Sequence, residues 1–269
     1  MIRGSTELVA IIGSPIAQVK SPANFNTWFE QNGQELAMVA IDMAESGLAA
    51  FIDALRGWRN LRGCVVTVPY KQVLAERLDG LSPRAAALRS VNVIRREADG
   101  RLLGDNVDGE GFLKAARAHG FQPAEKRALV VGSGGVGAAI AYALCESGVR
   151  QLVIADLDKP RAEALAKLLR AAFPQLNIGN QYANLSVFDL VVNATPVGMG
   201  GSGELPLAGQ LLETLNPSAL VADVVTNPVI TPFLEIAREL GCRIQTGPEM
   251  ARAQMGNLGH FMGVMPLDV

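Results

Sequence analysis

Short apolar, β-branched runs alternate with stretches of helical periodicity from one end of the chain to the other. This is the pattern of an α/β protein built on mostly parallel sheets. The first run, Leu8–Ile12, ends at Gly13-Ser14-Pro15. Ser21-Pro22 then opens a helix, with the serine read as N-cap and the proline at the first helical position, where its missing N–H costs nothing. Phe25, Trp28 and Phe29 recur at i, i+3 and i+4 and face one core, and Gly33 stops the helix. A second unit runs from Leu36–Ile41 through a helix near Leu48–Leu55 into a strand over Gly63–Val68. Ser82-Pro83 repeats the helix start, and Val91–Arg95 with Arg101–Leu103 reads as a hairpin turning at Asp99-Gly100.

The texture changes around residues 108–126. A helix carrying Phe112, Leu113 and Ala116 ends at Gly120, and the polar stretch Gln122–Arg127 leads into a new strand. Strand Ala128–Val131, helix Val136–Glu146, a stop at Gly148, strand Gln151–Ala155 and helix Arg161–Ala172 follow in order. Further strands fall at Leu190–Asn193, Leu220–Val225 and Arg243–Gln245. A domain boundary is expected near residue 108.

Composition narrows the classes. A chain of 269 residues is long enough for one large or two modest α/β domains, each with a core that needs no disulfide or metal. With 49% hydrophobic and 19% charged residues, disorder is excluded as the default state. A formal charge of −2 leaves no basic footprint for nucleic acid. Cys64, Cys145 and Cys242 are scattered and odd in number, as expected of small buried hydrophobes in a reducing compartment. Two histidines, His119 and His260, exclude a His-rich metal centre. No apolar run reaches about 18 residues, so no membrane span is expected. The start of the chain lacks a basic stretch followed by an apolar signal core, and a cytoplasmic protein is expected.

Gly132-Ser133-Gly134-Gly135-Val136-Gly137 is the best-defined chemical motif. A bare G-x-G-x-x-G is common, but here a strand precedes it, a helix follows and a second strand closes the unit. In that setting Gly132 permits the tight turn, Gly134 lets backbone approach a pyrophosphate, and Gly137 lets helix and strand pack closely. The helix N-terminus offers unpaired N–H groups to the phosphates. Asp156 lies 19 positions after Gly137, close to the spacing of about 20 for the acid that binds the adenosine ribose. A carboxylate there accepts from both ribose hydroxyls and repels a 2′-phosphate, and Leu157 follows it. NAD is therefore expected in preference to NADP, with Arg161 as the residue able to swing towards a phosphate. Asp158, just before Pro160, reads as a helix N-cap.

The other distinctive segments lie outside this nucleotide unit. A buried strand ends at Pro69 with Lys71 just beyond. Ser90-Val91-Asn92-Val93 is a polar interruption in an apolar strand, and Gly104-Asp105-Asn106-Val107-Asp108-Gly109 forms a turn at the domain junction. Taken singly, each reads as a surface charge or a turn. Together they resemble the shikimate/quinate dehydrogenase family over nearly the whole chain. That family's Gly-x-Pro-Ile-x-x-x-x-Ser-Pro stands here as Gly13 to Pro22, and its Val-Thr-x-Pro-aromatic-Lys as Val66 to Lys71. Its Val-Asn is Val91-Asn92, and its Gly-x-Asn-x-Asp-Gly is Gly104 to Gly109. Its Asn-Ala-Thr-x-x-Gly-Met is Asn193 to Met199, and its Gly-x-x-Met-x-x-x-Gln is Gly247 to Gln254.

The resemblance implies two α/β domains with an active-site cleft between them. Residues 1–107, joined by a C-terminal helix over 247–269, would bind substrate, and residues 108–246 would form the Rossmann domain. It implies Lys71 and Asp108 as the catalytic pair, with Ser21, Thr67, Asn92 and Gln254 as contacts to a small ring carboxylate. Thr195 and Pro196 either line the nicotinamide pocket or form a turn, and the pocket is favoured because ligands bind at the carboxyl ends of such strands. Met250, beside the Gly247 turn, reads either as core packing or as a nicotinamide contact. Alcohol oxidation must remove the hydroxyl proton. A lysine ammonium can donate to the developing alkoxide in the reverse direction, while the aspartate favours charged lysine. Shikimate or quinate would be oxidised at the ring 3-hydroxyl by a monomer or homodimer.

Three positions depart from the family pattern. Val19 and Val65 stand where it has serine and asparagine, and Thr226 stands where a tyrosine is usual. Each change removes a hydrogen-bonding group from the expected substrate pocket, and a bond lost to a charged group costs about 1.5–3 kcal/mol. Two alternatives follow: a dehydrogenase of a related cyclic polyol or amino-substituted acid, or a dinucleotide-dependent sensor with vestigial turnover.

Overall fold

A computed structural model describes residues 2–269. The chain forms two compact units, one made of the chain up to Val107 together with Met255–Val269, the other of Asp108–Gln254. In the first, β1 (Glu7–Gly13), α1 (Ser21–Gln31), β2 (Leu36–Asp42), α2 (Leu48–Gly57), β3 (Leu61–Val66), α3 (Lys71–Ala75), β4 (Gly80–Leu81), α4 (Pro83–Leu88), β5 (Val93–Arg96) and β6 (Leu102–Asp105) follow one another. The sheet order is β2-β1-β3-β5-β6-β4. β1 runs parallel to β2 and β3, whereas β5 is antiparallel to β3 and β6.

Alternate residues of β1 enter opposite cores, as a period of two dictates. Ala10 and Ile12 join Leu48, Phe51, Ile52 and Leu55 from α2. Val9 and Ile11 join Phe25 and Phe29 from α1 and Leu258 and Met262 from the C-terminal segment. Gly63 makes that second contact possible: a Cβ there would stand 2.4 Å from the Ile94 carbonyl oxygen and 2.7 Å from Met262 Cγ.

Two local expectations are corrected. Helix α1 starts one residue early, so Lys20 occupies the N-cap without a side-chain bond and the Ser21 hydroxyl does no capping. Strand β3 stops at Val66 rather than Val68. The Thr67 N–H still reaches the Ile12 carbonyl at 3.0 Å, but the chain then turns through Tyr70 N–H to Thr67 O at 3.0 Å, across Pro69, which has no donor to offer.

The second unit holds α5 (Asp108–Ala118), β7 (Arg127–Val131), α6 (Gly135–Glu146), β8 (Gln151–Ala155), α7 (Lys159–Ala172), β9 (Asn177–Gly179), β10 (Leu190–Asn193), α8 (Gly209–Leu212), β11 (Leu220–Asp223), α9 (Pro232–Glu239) and β12 (Arg243–Gln245). Helix α10 (Gly247–Phe261) begins in this unit and ends in the first. All six strands are parallel, in the order β12-β11-β10-β7-β8-β9. Numbered within the unit this is 3-2-1-4-5-6 read from the other edge, the Rossmann order, with the reversal of strand order between β7 and β10 opening a crevice at their carboxyl ends. Gly109 lets α5 sit directly on α6, since a Cβ would come 2.2 Å from the Ala139 carbonyl oxygen. Among the described residues no helix is long and apolar enough to cross a membrane.

Candidate active site

In the first unit the carboxyl end of β3 gathers most of the residues singled out from the sequence. Asn92 precedes β5, and because β5 runs against β3 its start lies at the same edge. The Val66 N–H bonds to the Asn92 carbonyl at 2.7 Å, and the Val91 N–H to the Lys71 carbonyl at 2.9 Å. Lys71 opens α3 and is half-buried. The preceding Tyr70 is buried, its hydroxyl donating to the Met43 carbonyl. Asn92 is 2% exposed, and its Oδ1 accepts the Val107 N–H at 2.9 Å, which fixes the amide's orientation. Thr67 presses on β1, whose Gly13 has no room for a Cβ: it would stand 2.5 Å from Thr67 Cγ2. Ser21 follows the loop that leaves β1.

The turn that delivers Asp108 is braced by a partly buried ion pair. Arg84 Nε and Nη2 donate to the two oxygens of Asp105 at 2.7 and 2.6 Å, and the Ser82 hydroxyl and Asn106 N–H donate to it as well. A two-pronged guanidinium–carboxylate pair fixes direction as well as distance.

In the second unit Asp108 opens α5, is 5% exposed, and accepts a hydrogen bond from Gln254 Nε2. The two helices meet closely because Gly111 faces Gln254: a Cβ would come 2.6 Å from that of Gln254. The start of α10 is held by a capping box. Glu249 accepts from the Thr246 N–H at 2.7 Å and hydroxyl at 2.9 Å, and its other oxygen lies 3.2 Å from His119 Nε2 beyond the end of α5.

The glycine loop sits at the carboxyl end of β7. Gly132 has φ +102°, and Gly137 admits no side chain because a Cβ would meet the Gly132 carbonyl oxygen at 1.9 Å. Gly134 is open on its outer side, with only Arg161 Nη2 within 4 Å of a Cβ position, at 3.5 Å. A cavity of about 460 Å³ is lined by Gly132, Gly134, Asp156, Arg161, Thr195 and Pro196 among others. A backbone-walled cradle at the N-terminus of α6 is the form a pyrophosphate requires. Ser133 turns inward onto Asp156, Gly135 and Val136 lie in the first turn of α6, and neither Gly247 nor Met250 lines the cavity. Gly247 instead packs on the 224–225 backbone, with a Cβ position 2.2 Å from the Val225 carbonyl oxygen, and Met250 is buried.

Asp156 Oδ2 accepts from both the N–H, at 2.7 Å, and the hydroxyl of Ser133, and its Oδ1 takes the Asp158 N–H at 3.0 Å. Burial pushes this carboxyl up, but the Ser133 and Asp158 donors and the neighbouring Arg161 outweigh it and hold it below the ordinary 3.8. Asp158 caps α7, accepting from the Arg161 N–H at 3.1 Å.

One cluster was not legible in the sequence. Asp223, 1% exposed at the end of β11, accepts from the Val225 N–H at 2.9 Å, Asn193 Nδ2 at 3.1 Å and the Thr231 hydroxyl at 2.7 Å. Asn193 in turn accepts from the Thr195 N–H at 3.1 Å and hydroxyl at 2.6 Å. Burial pushes the Asp223 carboxyl above its ordinary value, with Val225, Thr231 and Asn193 pulling back.

Comparison with known proteins agrees with this architecture. The family model for the shikimate dehydrogenase substrate-binding domain matches residues 11–94, and that for shikimate/quinate 5-dehydrogenase matches residues 114–198. A shikimate dehydrogenase (NADP(+)) of Moorella thermoacetica is 38% identical over 93% of this chain and 85% of its own length. Shikimate 5-dehydrogenase of Listeria monocytogenes, solved with shikimate and NAD, superposes with a TM-score of 0.90 at 29% identity, covering 99% of this chain and 96% of that one. The 5-ketofructose reductase of a Gluconobacter strain superposes at 0.89 with 26% identity, covering 97% and 94%.

The expected preference for NAD over NADP is overturned by these relatives, because the Moorella protein and further curated relatives are named as NADP(+) enzymes. The physical reason lies at Asp156. Spacing alone predicts a carboxylate free to take two ribose hydroxyls, whereas Asp156 already accepts three hydrogen bonds from Ser133 and Asp158 and a guanidinium lines the same cavity.

Proposed function

The chain belongs to the shikimate/quinate dehydrogenase family of oxidoreductases, and from that premise we propose that it catalyses reversible, NADP(H)-dependent oxidation of the ring 3-hydroxyl of shikimate. Quinate, which carries the same ring alcohol and carboxylate, is the sister substrate to test beside it. One observation carries the reading of the site. Asp108 and Gln254, 146 positions apart and each within a motif typical of the family, meet in a hydrogen bond on a buried carboxylate. A surface turn would have no reason to bury an aspartate and aim an amide at it.

In this reading Lys71 and Asp108 exchange the hydroxyl proton. The lysine ammonium stabilises the developing alkoxide, and the carboxylate, oriented by Gln254, favours the charged lysine. Ser21, Thr67 and Asn92 orient the ring and its carboxylate. The Ser21 hydroxyl is spared from capping duty, and Asn92 is held rigid by Val107. The glycine loop takes the pyrophosphate, Thr195 and Pro196 flank the nicotinamide side, and Arg161 answers the 2′-phosphate. Bound NADP+ supplies the hydride acceptor. Three buried, unpaired cysteines accord with a cytoplasmic enzyme.

A second reading, a dehydrogenase of a related polyol, is favoured by two positions. Val65 is buried in the cluster of Phe25, Phe29 and Val93, and Val19 packs against the same cluster, so both contribute apolar surface where the family pattern has polar groups. The structural kinship with a 5-ketofructose reductase points the same way. Reduced-nicotinamide absorbance with NADP+ and shikimate, quinate or a cyclic polyol separates the two readings. Lys71→Ala is expected to abolish turnover while cofactor binding persists, and full activity in that variant would overturn the role given to the lysine.

A further inference from the structure

Asp223 is a buried carboxylate for which the proton transfer above has no use. All three of its partners, the Val225 N–H, Asn193 Nδ2 and the Thr231 hydroxyl, can donate to it, which suits the ionised form. Yet it has no ion pair among the described residues. A carboxylate taken out of water without a counter-charge is costly to the fold, and its retention calls for something positive that arrives later. Position says what that is. In this sheet order each half binds one nucleotide at the carboxyl ends of its strands. The glycine loop after β7 and Asp156 after β8 account for the adenosine half. That leaves β10, β11 and β12 for the nicotinamide half, and Asp223 ends the middle strand of the three. Its contact with Asn193, and through it with Thr195, ties the carboxylate to the loop on that side.

We propose that Asp223 supplies a fixed negative charge beneath the nicotinamide site, selecting the oxidised, cationic ring over the reduced, neutral one. The inference rests on the reading that this unit binds NADP(H). Asp223 touches no reacting atom, and it acts by its charge and by holding the 193–195 loop.

Separate fluorescence or calorimetric titrations with NADP+ and with NADPH test it, using the full chain and the Asp223→Asn variant. The asparagine keeps one carbonyl oxygen for Val225 and Asn193, and its amide donates to Thr231 Oγ1, so the loop is preserved while the charge is lost. NADP+ binding is expected to weaken by about tenfold and NADPH binding by less than about twofold, the scale of one unit charge acting through protein of effective dielectric constant about 20. Asp223→Glu, which keeps the charge, should retain the wild-type ratio. If Asp223→Asn does not fold, Asp223→Ser carries the same comparison. Equal weakening of both forms, or no change in either, overturns the inference alone. Failure of the wild-type protein to bind either form overturns the dinucleotide reading, and this inference with it.

Discussion

Replacing Gly111 by alanine sets two effects against each other. Gly111 lies within α5 and does not have positive φ. Helix propensity alone would therefore reward alanine by about 1 kcal/mol. Packing opposes this, because the new Cβ would stand 2.6 Å from Gln254 Cβ, 2.9 Å from its Cα and 3.0 Å from its Cγ. Carbon atoms prefer about 3.5–4.0 Å, so the backbone of α10 has to retreat by roughly 1 Å. Overpacking of this kind costs about 1–3 kcal/mol, which leaves a net destabilisation of about 0–2 kcal/mol. The retreat also pulls Gln254 away from Asp108. A hydrogen bond to a charged group contributes about 1.5–3 kcal/mol, so if the transition state relies on that orientation, kcat/KM falls by about 10- to 100-fold. Urea unfolding and steady-state kinetics on the same preparation read both quantities. An alanine variant that gains about 1 kcal/mol of stability and keeps its kcat/KM would refute both the close α5–α10 contact and the role of Gln254.

Three further outcomes are expected. Gly137→Ala places a Cβ 1.9 Å from the Gly132 carbonyl oxygen, an obstacle made of backbone, and should weaken NADPH binding in a fluorescence titration by more than about tenfold; near-normal affinity would show the loop free to rearrange. Arg161→Met should raise the KM for NADP+ by about tenfold or more with little change in kcat, and an unchanged KM would remove Arg161 from the 2′-phosphate site. Asp223 binds its proton more tightly in the fold than in the unfolded chain, so its contribution is most favourable below the ordinary value of 3.8 and is lost as pH rises through the raised folded value. The stability of Asp223→Asn relative to wild type, from urea unfolding at a series of pH values, should therefore grow as pH rises through that window, and a flat difference would contradict the raised value.

What could be read from the chain, and what could not, divides by how far a constraint reaches. The run Leu8–Ile12 was legible because both faces of β1 are buried, and the glycine loop because Gly132 turns at φ +102° and Gly137 answers to the Gly132 carbonyl five positions away. Strands β4 and β9, two and three residues long, carry too few positions to show a period. Occupancy of polar groups is a different kind of fact. Spacing placed Asp156 where a ribose acid belongs, but it was silent on Ser133 reaching across 23 positions to claim the carboxylate, and the cofactor expectation failed at that point. Asp223 was visible only as the start of Asp-Val-Val-Thr, while the donors that define it come from Asn193, 30 positions upstream, and Thr231, 8 downstream. Asp108, Asp156 and Asp223 each take a side-chain donor from far off in sequence, and Asp108 and Asp223 are buried. Asp156 and Asp223 each accept three hydrogen bonds from within the fold, and charge separates them: Arg161 stands beside the first, whereas the second has no ion pair among the described residues.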